Sequence, residues 1–204
     1  MAHKSNQEIE VKFNLHSLPA LQAKLERLGG QLTQPRILEC NLRFDTPTGD
    51  LRRGGRVLRL RQDSAARLTY KGRGRLQAGV QTRVEIEFTV GDFGQARAFL
   101  EALGYELWAV YEKYRTTYAL GAVLVTLDEL PFGSFAEIEG PTPEEVAATA
   151  RRLELNWETR INGSYLTLFD HVRTALDLPF HDLTFDKFQE VKVSAAQLGV
   201  SPAD

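Results

Sequence analysis

The sequence predicts an α+β fold: a closed, eight-stranded antiparallel β-barrel, a tunnel, with helices packed outside it. Three observations carry that expectation. Eight short segments alternate apolar and polar residues with the period of a strand. Helical patterns interrupt these segments without separating them into two groups. The polar positions of the strands are repeatedly full charges rather than the usual Ser/Thr mixture. Eight strands can close around a small ligand, and 204 residues suit a single domain over 1–204, with a core at about 7–175 and a tail over 177–204.

Gln7 to Phe13 alternates strictly, and Ser17-Leu18-Pro19 then opens a helix with Leu18, Leu21, Leu25 and Leu28 on one stripe, ended by Gly29-Gly30. Ile37 to Asp45 is the second strand, setting Leu38, Cys40, Leu42 and Phe44 against Glu39, Asn41, Arg43 and Asp45. A turn cluster, Thr46 to Asp50, follows. Arg56 to Gln62 and Leu68 to Lys71 are strands, Gly72 to Gly79 is a loop, and Arg83 to Val90 is a strand. Asp92 caps a second helix that stops at Gly104. Lys113–Ala119, Val123–Asp128 and Phe135–Glu139 complete the eight. A third helix starts at Thr142 and Pro143 with acids in its first turn, and a fourth runs from about Ser164 to Leu176.

Composition narrows the class. The formal charge of −2 gives no global drive toward a nucleic acid polymer or an anionic membrane. No run reaches the ~18–20 apolar residues of a membrane span, and residues 1–6, His3 among them, lack an apolar signal core. The lone Cys40 excludes a disulfide framework and a cysteine zinc cluster. A soluble, cytoplasmic domain is the expectation.

The near-neutral average hides a segregation. Ten of the 25 basic residues fall between Arg52 and Arg83, with Asp63 the only acid among them, whereas Glu129 to Glu145 holds five acids and no base. Charges recur at i, i+2 spacing: Glu8/Glu10/Lys12, Arg59/Arg61, Arg83/Glu85/Glu87, Lys113/Arg115 and Glu137/Glu139. Either these faces are solvated outside a common apolar core, or they line a wet lumen while helices cover the apolar outside. Surface pairs contribute only about 0.2–1 kcal/mol, which gives little reason for such regularity. A polyanion with its metal ions does give a reason. Guanidinium forks bind phosphate oxygens, and acids in the same site imply a divalent cation between them and the phosphates. Glu8 with Glu10, and Glu137 with Glu139, place paired carboxylates about 7 Å apart on one strand face, with Asp128 near the second pair. Salt-bridge ladders across the lumen are the metal-free alternative.

Glu8-Ile9-Glu10-Val11-Lys12 is an ExExK motif, and it resembles the hallmark of the CYTH superfamily, the triphosphate tunnel metalloenzymes. Further segments resemble the family's in order: Arg43-Phe44-Asp45-Thr46-Pro47, Leu58-Arg59-Leu60-Arg61, Thr69-Tyr70-Lys71-Gly72, Arg83-Val84-Glu85-Ile86-Glu87, Glu112-Lys113-Tyr114-Arg115, an acidic hairpin from Leu127 to Gly140, and Ser164-Tyr165-Leu166-Thr167-Leu168-Phe169. The resemblance implies a charge-lined tunnel that takes a triphosphate small molecule with Mg²⁺ or Mn²⁺. It implies metal-side roles for Glu8, Glu10, Asp128, Glu137 and Glu139, and for Glu85 and Glu87 a role in metal binding or in orienting the bases. Phosphate contacts fall to Lys12, Arg59, Arg61, Lys71, Lys113 and Arg115, with Arg83 joining either group. Glu10, Glu85 and Glu137 are the candidate catalytic acids that would orient a water.

Two departures stand out. Arg43 replaces the aromatic usual before the FDT triplet, adding a phosphate contact or facing solvent. Asn162-Gly163-Ser164 stands where some thiamine-triphosphatase-type members carry a lysine. The four histidines lack metal-like spacing, and Trp108 and Trp157 are expected to pack under helices. The Gly72–Gly79 loop lacks the helix of a phosphate-cradling P-loop and could serve as a flap at the tunnel mouth. The expected function is a metal-dependent hydrolase of tripolyphosphate, a nucleoside triphosphate or thiamine triphosphate. The alternatives are a class IV adenylyl cyclase, which makes cyclic AMP and pyrophosphate from ATP, and a non-catalytic polyphosphate-binding barrel. An exposed apolar barrel face would favour a homodimer, and helices covering it a monomer.

Overall fold

The structure, a computed structural model, describes residues 7–204; His3 and the rest of the N-terminal hexapeptide lie outside them. Nine strands form one antiparallel sheet: β1 (Gln7–Leu15), β2 (Gln31–Asp45), β3 (Val57–Gln62), β4 (Ala66–Lys71), β5 (Arg75–Gln77), β6 (Val80–Val90), β7 (Glu106–Leu120), β8 (Val123–Leu130) and β9 (Gly133–Glu139). The order β1-β9-β8-β7-β2-β3-β4-β6 returns to β1 through a β1–β6 pairing, so eight strands close a ring, and β5 adds to β6 outside it.

β5 lies within the segment expected to be a loop. Ala78 (φ 49°) and Gly79 (φ 80°) both adopt left-handed backbone, the requirement of a two-residue hairpin turn whose twist matches its strands. Gln77 therefore pairs with Val80. β2 and β7 are longer than their alternating segments predict. They pair from Gln31↔Ala119 to Asp45↔Glu106, with bulges that absorb the interrupted alternation.

Helices α1 (Leu18–Arg27), α2 (Asp50–Arg53), α3 (Phe93–Ala102), α4 (Pro143–Arg152), α5 (Tyr165–Leu176) and α6 (Ala195–Leu198) lie outside the ring. Their starts obey local chemistry: Asp92, Thr142 and Ser164 side chains each accept from the backbone N–H three residues on, and Pro143 occupies the first turn of α4. Ile9, Val11 and Phe13 of β1 face outward against Leu21 and Leu25 of α1 and Val146 and Ala150 of α4. Leu42, Phe44, Leu58 and Leu60 face Leu100 of α3. The strands' apolar side thus lies outside, under helices, and the charged side faces in. Cys40 is half-buried beside the α3 cluster.

The tail over 177–204 packs on the barrel. Leu183 is fully buried and exchanges backbone hydrogen bonds with β7, and Ala203 bonds to Asn14 and Asn156. Val84, Ile86 and Phe88 on the outer face of β6 are exposed. No described helix is long and apolar enough to cross a membrane.

Candidate functional site

Strand period and closure together aim the charges inward. Residues 8, 10 and 12 of β1 share one face, and register sets Glu8 opposite Arg83, Glu10 opposite Glu139 and Lys12 opposite Glu137. Every residue of the expected site set except Asp128 lines one cavity of about 890 Å³. Asp128 is fully buried behind this lining. None of residues 72–79 contributes, nor do His16, His171 and His181. Trp157 packs on Phe13 of β1.

One wall is fully compensated. Asp128 accepts from Lys113 Nζ at 2.9 Å, from Arg115 Nε at 2.7 Å and from the Tyr165 hydroxyl at 2.7 Å. Glu137 takes Lys12 on one oxygen, at 2.6 Å, and Arg115 on the other. Lys113 also faces Glu39, which Arg61 contacts as well. Burial alone would raise the Glu39 carboxyl, but Lys113, Arg115 and Arg61 hold it at about 2. Likewise burial would lower Lys12, yet Glu137 and Glu10 keep it above the usual lysine range. Glu87 is similarly engaged, receiving Arg61 at 3.1 Å, Arg59 at 3.3 Å and the Thr69 hydroxyl at 2.8 Å. Buried charges of this kind are tolerable only with such partners.

The adjoining wall, which shares β1 and β9 with the first, is short of positive charge. Glu8 takes Lys71 and Arg83, which outweigh its burial and hold it at about 2. Arg83 must also serve Glu10, at 3.2 Å, and Lys71 also serves Glu85, at 3.4 Å. Burial and then the Glu8 charge raise Glu85 to about 7, against the pull of Lys71. Glu139 makes no ion pair among the described residues, and burial with Glu8 and Glu10 nearby raises it to about 7.

That wall fits a divalent cation by charge and by its all-oxygen donors, although no three acid, histidine or cysteine side chains among the described residues converge in a metal-holding group. The expected metal-side set therefore divides. Glu10 and Glu139 sit where negative charge is in excess, as does Glu8 although its two oxygens meet Lys71 and Arg83; Asp128, Glu137 and Glu87 have their oxygens taken by bases and hydroxyls, which fixes those bases in place.

The structure adds residues to the site. Glu39 obeys the inward alternation of β2 and could have been named from it. Tyr165 stands in the Ser164–Phe169 motif, and its bond to Asp128 ties α5 to the wall. Trp108 packs against the hydrophobic cluster that includes α5, as expected, and it also lines the cavity. Register steps from Arg43↔Ala109 to Phe44↔Leu107, leaving Trp108 as an extra residue in β7. Such a bulge re-aims a side chain that alternation would have turned outward.

The model of the CYTH domain matches residues 6–169. The chain belongs to the CYTH family. A candidate adenylate cyclase of Vibrio parahaemolyticus superposes with a TM-score of 0.73 at 23% identity, over 82% of this chain and 99% of that one. A Pyrococcus horikoshii protein gives 0.65 at 28% identity, over 78% and 96%. A Hippeastrum candidate adenylyl cyclase with a dominant triphosphatase activity gives 0.58 at 24% identity, over 80% and 95%. These likenesses bear out the tunnel fold. No curated protein sequence matches the chain significantly.

Proposed function

We propose that this CYTH protein is a metal-dependent phosphohydrolase that cleaves a triphosphate-containing substrate within the tunnel. The observation that carries the reading is the pairing, around one cavity, of a wall of bases fixed by their own acids with a wall of carboxylates in excess. Lys12, Lys113, Arg115, Arg59 and Arg61 are pre-positioned to receive phosphoryl oxygens and to stabilise charge on the transferring group without reorganising. Glu8, Glu10 and Glu139 would hold Mg²⁺ or Mn²⁺. Bound there, the cation would neutralise phosphate charge and lower the pKa of a coordinated water.

Among the three candidate catalytic acids, Glu137 has both oxygens held by Lys12 and Arg115. Glu10 and Glu85, each touched on one oxygen only by a shared base, are the ones left to orient the attacking water. Asp128 acts through Lys113, Arg115 and Tyr165 as a positioning residue.

The test is a product assay with tripolyphosphate, ATP and thiamine triphosphate, each with Mg²⁺, with Mn²⁺ and with chelator. Orthophosphate release that chelator abolishes is the expected result. Pyrophosphate with cyclic AMP from ATP would replace the hydrolase with a cyclase. Tight tripolyphosphate binding without turnover would leave a binding barrel.

A further inference from the structure

Where β2, β3 and β7 meet, the tunnel wall holds donors without acceptors. Arg43 lies directly opposite Arg59 in the β2–β3 register. Both line the cavity with Trp108, and the Arg43 guanidinium sits 5.6 Å from the Trp108 ring centre. Arg43 Nε, Arg59 Nε and Trp108 Nε1 are buried, and none has a protein acceptor among the described residues. Arg43 forms no ion pair there either. The nearest acid in sequence, Asp45, is committed to the backbone N–H groups of Thr46, Leu51 and Arg52 and to the Arg52 side chain. Burial, with Arg59 and Arg83 nearby, lowers the Arg43 guanidinium to about 10.

Leaving buried donors unmatched is costly, more so when one is charged. Three of them on side chains that line one corner of the cavity leave that corner short of acceptors, which a ligand shifting those side chains slightly would supply. An aromatic ring stacked on Trp108 is the poorer occupant, because the Arg52 guanidinium already lies 4.4 Å from that ring's centre. What the indole offers the cavity is its N–H.

We propose that Arg43, Arg59 and Trp108 form an anion subsite at this corner, one that takes a phosphoryl group of the substrate's phosphate chain and not its organic part. This rests on the triphosphate reading above and adds Arg43 and Trp108 as specificity-determining residues. The bulge at Trp108 and the arginine at position 43 are the two local departures that create it.

The experiment is calorimetric titration of the full chain with inorganic tripolyphosphate and, separately, ATP, in chelator so that nothing is turned over. The proteins are wild type, Arg43→Met and Trp108→Phe, the last keeping an aromatic ring while losing the donor and part of the indole's volume. Each substitution is expected to weaken tripolyphosphate binding by about tenfold or more, the usual worth of a hydrogen bond to a charged group. Arg43→Met is also expected to leave the ligand-free thermal midpoint unchanged or higher, since it removes a half-buried charge that has no ion-pair partner among the described residues. Tripolyphosphate binding as tight in both variants as in wild type overturns the subsite and spares the triphosphate reading. A loss confined to ATP assigns the corner to the organic part and overturns it too. A lowered ligand-free midpoint in Arg43→Met makes Arg43 a structural residue and overturns the subsite as well. A wild type that binds no tripolyphosphate either in chelator or with Mg²⁺ or Mn²⁺ added fails the triphosphate reading itself.

Discussion

The Asp128 wall and the Glu139 wall are made from the same residue types and behave as opposites. Around Asp128 and Glu137, each carboxylate meets two or more donors. Around Glu139, three further acids share Lys71 and Arg83. The first arrangement holds bases rigid in the absence of ligand. The second holds negative charge in excess of its bases, which a proton or an added cation relieves. Acid number alone distinguishes nothing here; what matters is how many bases each acid must share.

The contrast is broken most forcefully at Asp128. Asp128→Ala leaves Lys113 and Arg115 buried with fewer partners, which should cost about 3–5 kcal/mol. In a chain of this length that lowers the thermal midpoint by about 10 °C, readable by circular dichroism.

The next effect is a pH dependence at Glu39, which belongs to the same wall. Its folded value of about 2 lies below the ~4.3 of an unfolded glutamate. Its contribution is therefore fully present above ~4.3 and is lost as pH falls toward 2. That contribution is roughly 3 kcal/mol. Urea unfolding of Glu39→Gln across pH 2–6 should show a lower plateau and a shallower acid limb than wild type. A parallel acid limb would mean that Glu39 is not held by its bases.

The smallest expected change in stability is at Glu139. Glu139→Gln removes a charge that the protein does not pair, so the metal-free midpoint should stay within about 1 kcal/mol of wild type or rise. The stabilisation that Mg²⁺ or Mn²⁺ gives wild type should shrink or vanish. A variant as destabilised as Asp128→Ala would erase the distinction between the walls.

Much of this architecture is legible in the sequence because strand period states which side chains share a face. Glu8, Glu10 and Lys12 point inward together for that reason, and Ser164 and Thr142 announce their helices by capping chemistry. What period does not state is which residue of another strand each side chain meets. Lys71 meets Glu8 from 63 residues away, a fact of ring closure and strand tilt. Asp128 reads like its neighbours Glu137 and Glu139, and only the three donors that surround it set it apart. Trp108 escapes the pattern because a bulge shifts the phase of β7 by one residue. β5 escapes it because its turn uses Ala78 in a left-handed conformation where sequence rules look for Asn or Asp.

The seam between β1 and β6 has a kinetic consequence. It consists of four register pairs, from Gln7↔Val84 to Glu10↔Gln81, and the Arg83–Glu8 contact across it joins residues 75 apart. Contacts of such long range are slow to form, so the ring is expected to shut late in folding, with β1 and β6 unpaired edges until it does. The acids and bases that would handle the substrate are also the latch of the barrel, and the site is assembled in the same event that completes the fold.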